Sequence, residues 1–109
     1  MSRASGLGAA APLFAALGDP TRLKLVSRLC AEGPLSTVHL GAGSGMTRQA
    51  LDKHLAALAH AGLVEGTRGR PRVWQLKPRR LDDARAWLDR ISRQWDLALG
   101  RLKSFVEED

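Results

Sequence analysis

Apolar residues recur along this chain first at helical spacing, then briefly in alternation, then at helical spacing again to the C-terminus. Leu51, Leu55 and Leu58 fall at i, i+4 and i+7 and form one face of a helix. Thr47 is a good N-cap for it and Gly62 a good terminator, so a helix is predicted over 47–61. Its opposite face carries Gln49, Lys53, Ala56 and His60, with Arg48 and Asp52 on the flanks. Long polar side chains near the N-terminus followed by alanines suit a helix entering a DNA major groove end-first.

Upstream, Ala9 to Leu17 is Ala-rich and predicts a short helix with Pro12 in its first turn, ended by Gly18. Asp19-Pro20 then supplies an N-cap and a first-turn proline. The helix that follows should run to about Glu32, stopped by Gly33-Pro34, and bury Leu23, Val26 and Cys30 with Leu25 and Leu29 alongside. Ser36 can cap a third, weak helix through roughly Gly43, since Gly41 and Gly43 each cost about 1 kcal/mol relative to Ala. Helix, Gly-rich turn and helix with a polar N-terminal face make a helix-turn-helix pattern. Residues 1–8 are small and polar and are expected to be disordered.

Beyond Gly62, residues 63–68 and 72–76 alternate as two strands about Gly69-Arg70-Pro71, a β-wing spanning 63–77. Trp74 and Leu76 share one face and should pack it onto the helices. Pro78 closes the hairpin. Leu81, Ala84, Leu88, Ile91, Trp95, Ala98, Leu102 and Phe105 then alternate at three and four residues, a heptad seam over 81–107. A helix this long, about 40 Å at ~1.5 Å per residue, exceeds what so small a body can cover and predicts burial against a second subunit. The alternative is packing on its own domain alone.

Composition narrows the class. The chain has 109 residues, enough for one domain over 9–109, and no apolar run suited to a membrane span or leader. A single cysteine excludes an intramolecular disulfide. These features predict a cytoplasmic protein without a membrane partner. Residues 1–80 hold 12 Lys/Arg against 4 Asp/Glu, a net of +8, whereas residues 81–109 hold 5 against 7, a net of −2. Arg68, Arg70, Arg72, Lys77, Arg79 and Arg80 occupy 68–80 without an acid. A basic body with a near-neutral tail points to a polyanion for the body and another role for the tail.

Within the helix-turn-helix, Arg48 can bond guanine bidentately and Gln49 can bond adenine, or both can touch phosphate only. Lys53 suits a phosphate contact. Thr47 can cap, touch phosphate, or both, and Asp52 is spaced to pair with Arg48. Arg68, Arg70 and Arg72 suit a narrow minor groove or a solvated cluster. His54 is assigned to a phosphate or an intramolecular hydrogen bond, His60 to a structural role at a helix end, and His39 to the surface. Cys30 is expected to be a small buried residue. Trp87 lies beside the seam and is expected to pack in the core or line a pocket there. No nucleophile–base pair, phosphate loop or paired-carboxylate site is present, so an enzyme is not expected.

Four segments in order, Ala-Leu-Gly-Asp-Pro-Thr-Arg-Leu (16–23), Leu-Asp-Lys-His-Leu-Ala-Ala-Leu (51–58), Ala-Gly-Leu-Val (61–64) and Gly-Arg-Pro-Arg-Val-Trp-Gln-Leu (69–76), resemble the arsenic-repressor-like (ArsR/SmtB) winged-helix transcription regulators. The resemblance spans about 10–108. It implies a mainly α fold with a small β-hairpin, a winged helix-turn-helix whose first and last helices form a dimer interface. It also implies a homodimeric repressor on an inverted-repeat operator. Leu81, Leu88, Ile91, Trp95, Leu102 and Phe105 would lie at that interface.

The chain departs from the metal-sensing members. Their Cys-x-Cys pair would fall near Ser36 and Val38, and no His follows His60. Asp82, Asp89 and Asp96 alone are a poor transition-metal set and are expected to be solvated or to pair with Arg85 and Arg93. With Cys30 as the one cysteine, two-cysteine redox sensing is excluded. Trp87 and Trp95 on the last helix resemble a metal-independent branch, so no metal or cofactor is expected. An inducer, small molecule or protein, is not evident from the residues. Two other functions fit the basic body: a sequence-independent DNA-coating protein, and a protein-interaction module of antitoxin type.

Overall fold

The computed structural model describes residues 7–107. Its elements are α1 (Leu7–Leu17), α2 (Pro20–Glu32), β1 (Leu35–Ser36), α3 (Thr37–Gly41), α4 (Arg48–His60), β2 (Val64–Gly66), β3 (Val73–Leu76) and α5 (Pro78–Glu107). The expectation for residues 1–6 lies outside the described residues. Leu7 and Gly8 already belong to α1, which places Pro12 inside that helix and not in its first turn.

The break between α1 and α2 is built by two side chains. The Asp19 carboxylate accepts the Arg22 N–H at 3.0 Å. The Arg22 guanidinium donates from Nε to the Ala16 carbonyl at 2.7 Å, satisfying an acceptor at the end of α1. On α2 the buried residues are Leu25, Val26 and Leu29. Leu23 is 50 % exposed and Cys30 is exposed, contrary to the expected burial of both. The two lie seven residues apart on one line of the helix. The buried arc centres between Leu29 and Val26, so that line turns away from the core.

Ser36 caps α3 by accepting the His39 N–H at 3.0 Å. The helix stops at Gly41, two residues before the expected end. Gly43 and Gly45 adopt φ of 71° and 76°, and the Ser44 hydroxyl donates to the Gly41 carbonyl at 2.8 Å while accepting the Met46 N–H at 3.1 Å. Thr47 then caps α4 by accepting the Ala50 N–H at 3.0 Å. The end of α4 is a Schellman turn. Gly62 takes φ of 81°, its N–H donates to the Ala59 carbonyl, and the Leu63 N–H donates to the Leu58 carbonyl, each at 3.0 Å. Leu58 and Leu63 are both fully buried, which is the apolar contact this turn calls for.

The sheet is antiparallel in the order β1-β3-β2, with Leu35 opposite Trp74, Val64 opposite Leu76 and Gly66 opposite Trp74. The two wing strands are shorter than the predicted 63–68 and 72–76. Their ladder closes at Thr67, whose N–H donates to the Val73 carbonyl at 2.8 Å and whose hydroxyl accepts the Val73 N–H at 3.0 Å. Trp74 is buried and Leu76 packs beside it, on the face expected.

Pro78 opens α5 three residues ahead of the predicted start. At 30 residues this helix is about 45 Å long, and it stretches the molecule to 65 × 36 × 21 Å. It joins the body through its first turns. Ala84 is buried, and Trp87 meets Phe14 of α1 with ring centroids 5.7 Å apart at 54°. One cluster running from Leu13 through Leu29, Leu40, Leu55 and Val64 to Trp74 and Ala84 forms the core. No described helix is long and apolar enough to cross a membrane.

Candidate nucleic-acid interface

Because Leu51, Leu55 and Leu58 are buried, α4 is fixed in rotation and its polar side is fixed with it. Gln49 and Lys53, nearly opposite the leucines at about 100° per residue, are exposed. Arg48 lies on the side facing the wing. Its Nε sits 3.3 Å from Asp52 Oδ1, a solvent-exposed pair. One cleft is lined by Thr37, Val38 and Arg48 on the helical side and by Arg70, Pro71 and Arg72 on the wing side. A neighbouring groove runs past Asp52, Ala56, His60 and Trp74. The small side chains of Ala56 and Ala59 keep that groove open.

The structure separates the three wing arginines. Arg68 and Arg70 are exposed in the loop between β2 and β3. Arg72, exposed as well, lies at the base, where its guanidinium carbon stands 4.5 Å from the centroid of the Trp74 ring. Gly66 makes this fold-back possible, since a Cβ there would lie 2.7 Å from Arg72 Nε. The Arg72 carbonyl accepts the Thr37 N–H at 3.0 Å and the Thr37 hydroxyl at 3.4 Å. Thr37 Oγ1 in turn accepts the Trp74 indole N–H at 2.9 Å. Nothing in the spacing of the chain singled out Thr37. The one signal for it was Trp74 itself, whose N–H needs an acceptor once buried.

His54 sits on the flank of α4 turned to α2, with Nδ1 3.9 Å from Asp19 Oδ2. Its contact is intramolecular, and it does not share the face of Gln49 and Lys53. The Asp19 carboxyl is held below its ordinary range, chiefly by the backbone N–H of Arg22 and further by the charges of Arg22 and His54. The Arg28 side chain does the same for Glu32 through a 3.0 Å bond. His39 is on the surface of α3.

Along α5, Leu81 and Ile91 are half-buried, whereas Leu88, Trp95, Leu102 and Phe105 are exposed, Trp95 to 61 % and Phe105 to 74 %. Asp82, Asp89 and Asp96 are exposed too, and at the start of the helix it is Asp83 that pairs, with Arg80 at 3.5 Å. Among the described residues, no three of His, Cys, Asp and Glu come together in a way that could hold a metal ion.

A helix-turn-helix domain family matches residues 17–67, which run from the end of α1 through α4 into the wing. The ArsR-like transcriptional regulator from Rhodococcus sp. RHA1 is 34% identical, superposes with a TM-score of 0.71, and is matched over 91% of this chain and 93% of its own. The chain belongs to the ArsR family of transcriptional regulators. Two further relatives of this ArsR-family protein are similar in fold. The transcriptional repressor BigR from Xylella fastidiosa is 29% identical over 72% of this chain and 79% of its own, with a TM-score of 0.61. HlyU from Vibrio cholerae N16961 is 25% identical over 87% and 98%, with a TM-score of 0.63. No curated protein sequence matches the chain. The family's members are transcriptional regulators and not enzymes, and this chain is a DNA-binding winged helix-turn-helix regulator of the same kind.

Proposed function

We propose that this ArsR-family regulator acts as a homodimeric repressor on an inverted-repeat operator. The observation that carries the reading is the cleft in which Arg48 of α4 faces Arg70 of the wing. One face would thereby offer a helix end to a major groove and a basic loop to the adjoining minor groove. Arg48 and Gln49 would meet base edges, Lys53 and the Thr47 hydroxyl would meet phosphate, and Arg68 and Arg70 would enter the minor groove. Arg72 and His54, each engaged within the protein, would support that face more than touch DNA. The exposed apolar stripe of α5, continued by α1, would be covered by a second copy, setting two recognition helices about 34 Å apart.

Repression would follow from occupying a promoter, as the similar BigR is a transcriptional repressor. The Cys-x-Cys pair of metal-sensing members would fall near Ser36 and Val38, so in this reading the regulator would not use that metal site. Its inducer would be a small molecule or protein that binds the DNA-free conformation better. Its place would be the cytoplasm. Footprinting on the region upstream of its own gene tests this. Protection of two symmetric half-sites one helical turn apart is expected. Uniform coating would favour a sequence-independent DNA binder, and no protection together with a stable hetero-complex would favour an antitoxin-like module.

A further inference from the structure

The wing is a short hairpin, Val64–Gly66 against Val73–Leu76, and such a ribbon is marginal on its own. Something must fix its angle to α4, because Arg68 and Arg70 are useful only if held at a set distance from Arg48. The short β1 strand pairs with β3 at Leu35–Trp74 and Ser36–Val73, and the side-chain interactions that add to this ladder converge on β3 from two sides. From one side comes Thr37, the first residue of α3 and a buried polar residue only 4 % exposed. Its hydroxyl oxygen accepts the Trp74 indole N–H at 2.9 Å, and its N–H reaches the Arg72 carbonyl at 3.0 Å. From the other side the Arg72 guanidinium lies over the Trp74 ring at 4.5 Å, in space left by Gly66. Arg48, Thr37, Arg72 and Trp74 line one groove, so the spacing between wing and recognition helix is set at this point.

We infer that Thr37 and Trp74 form the pin that positions the wing against the recognition helix. The inference rests on the DNA-binding reading above, and assigns to that site a pair that touches no DNA itself. The hydroxyl is the essential atom. Without it the Trp74 N–H is buried without an acceptor and can regain one only by moving β3 outward toward water. The wing cations then lose their set distance from α4, while the α4 caps at Thr47 and Gly62 stay intact.

Thr37→Val, nearly isosteric, removes the hydroxyl, and Thr37→Ser keeps it. In the DNA-free protein, amide hydrogen exchange over residues 64–76 should speed up in Thr37→Val and not in Thr37→Ser, with α4 amides unchanged in both. In operator titrations, every phosphate that the protein ceases to neutralise lowers the slope of log affinity against log salt by about 0.9. Thr37→Val should therefore lower the slope by about the same amount as the Arg68→Ala/Arg70→Ala double variant, and should add little to it when combined. Wild-type exchange over the wing in Thr37→Val overturns the inference. So does a fall in affinity with an unchanged slope, or full additivity with the double variant. If the wild-type protein binds no operator, the DNA-binding reading fails, and the exchange experiment still decides whether the pin exists.

Discussion

Arg48 leans forward along its own helix and pairs with Asp52, Nε to Oδ1 at 3.3 Å. Both side chains are more than half exposed, and an exposed pair of this kind is worth at most about 1 kcal/mol. Arg48 can therefore exchange Asp52 for a guanine edge at little cost, and the pair presents it toward the wing in the meantime. Arg48→Ala should relax base preference at one position of each half-site and cost about 1–3 kcal/mol on the operator. A panel of single-base operator variants reads this out. Equal loss on every sequence would mean that Arg48 meets only the backbone.

Trp95 is the test of the α5 stripe. It is 61 % exposed in the single chain, in line with Leu88, Leu102 and Phe105. Trp95→Glu should leave the fold intact, because Trp95 lies outside the core cluster, yet convert a dimer to a monomer in sedimentation. Operator affinity should fall with it. A dimer unchanged in size would place the interface elsewhere.

Gly62 and Gly100 make a matched pair for stability. Gly62 has φ of 81°, and a Cβ there would lie 3.0 Å from Arg80 Cγ. Gly62→Ala should cost about 1–2 kcal/mol from left-handed backbone strain alone. Gly100 is helical, with nothing within 4 Å of a Cβ, so Gly100→Ala should gain about 0.5–1 kcal/mol from helix propensity. Urea unfolding of the two variants should shift in opposite directions, and a neutral Gly62→Ala would contradict the turn geometry.

Acid should weaken the fold in a definite range. The carboxyls of Asp19 and Glu32 are both held below their ordinary values in the folded chain. A depressed folded pKa gives stability that is complete above the unfolded value and is lost as pH falls through the folded one. Melting temperature should therefore hold through neutral pH and decline below the ordinary carboxylate range. Asp19→Asn keeps a capping acceptor but cannot titrate, so its decline should be shallower, with the Glu32 share remaining. An identical acid limb in Asp19→Asn would show that the Arg22 N–H does not stabilise the charge.

The parts of this architecture that were legible in the sequence are those specified locally. Thr47, the three leucines of α4 and Gly62 each act within one or two turns, and they defined that helix to within a residue. Asp19-Pro20 did the same for the start of α2. What was not legible depends on a partner distant in sequence. β1 is only Leu35–Ser36, and it is a strand because β3 lies beside it. On α2, apolar residues stand at 23, 25, 26, 29 and 30, so periodicity alone could not decide which arc faces inward. The core took Leu25, Val26 and Leu29 and left Leu23 and Cys30 outside. Arg72 looks like one of three alike wing cations until the Trp74 ring, two residues along the same strand, and the space left by Gly66 on the facing strand hold its side chain against the base of the wing. Charge thus reveals the candidate site, whereas the interactions that hold those charges in place are set by the tertiary fold.

Fluorescence anisotropy with the region upstream of the protein's own gene and a shuffled duplex of equal composition decides whether the protein is a sequence-specific regulator. The salt should be near 0.15 M, about physiological, with and without EDTA. Binding to the native duplex at least about 10³-fold tighter than to the shuffled one is expected, unchanged by the chelator. Equal affinity for both duplexes would contradict sequence-specific regulation, and loss of binding in EDTA would contradict its independence of metal.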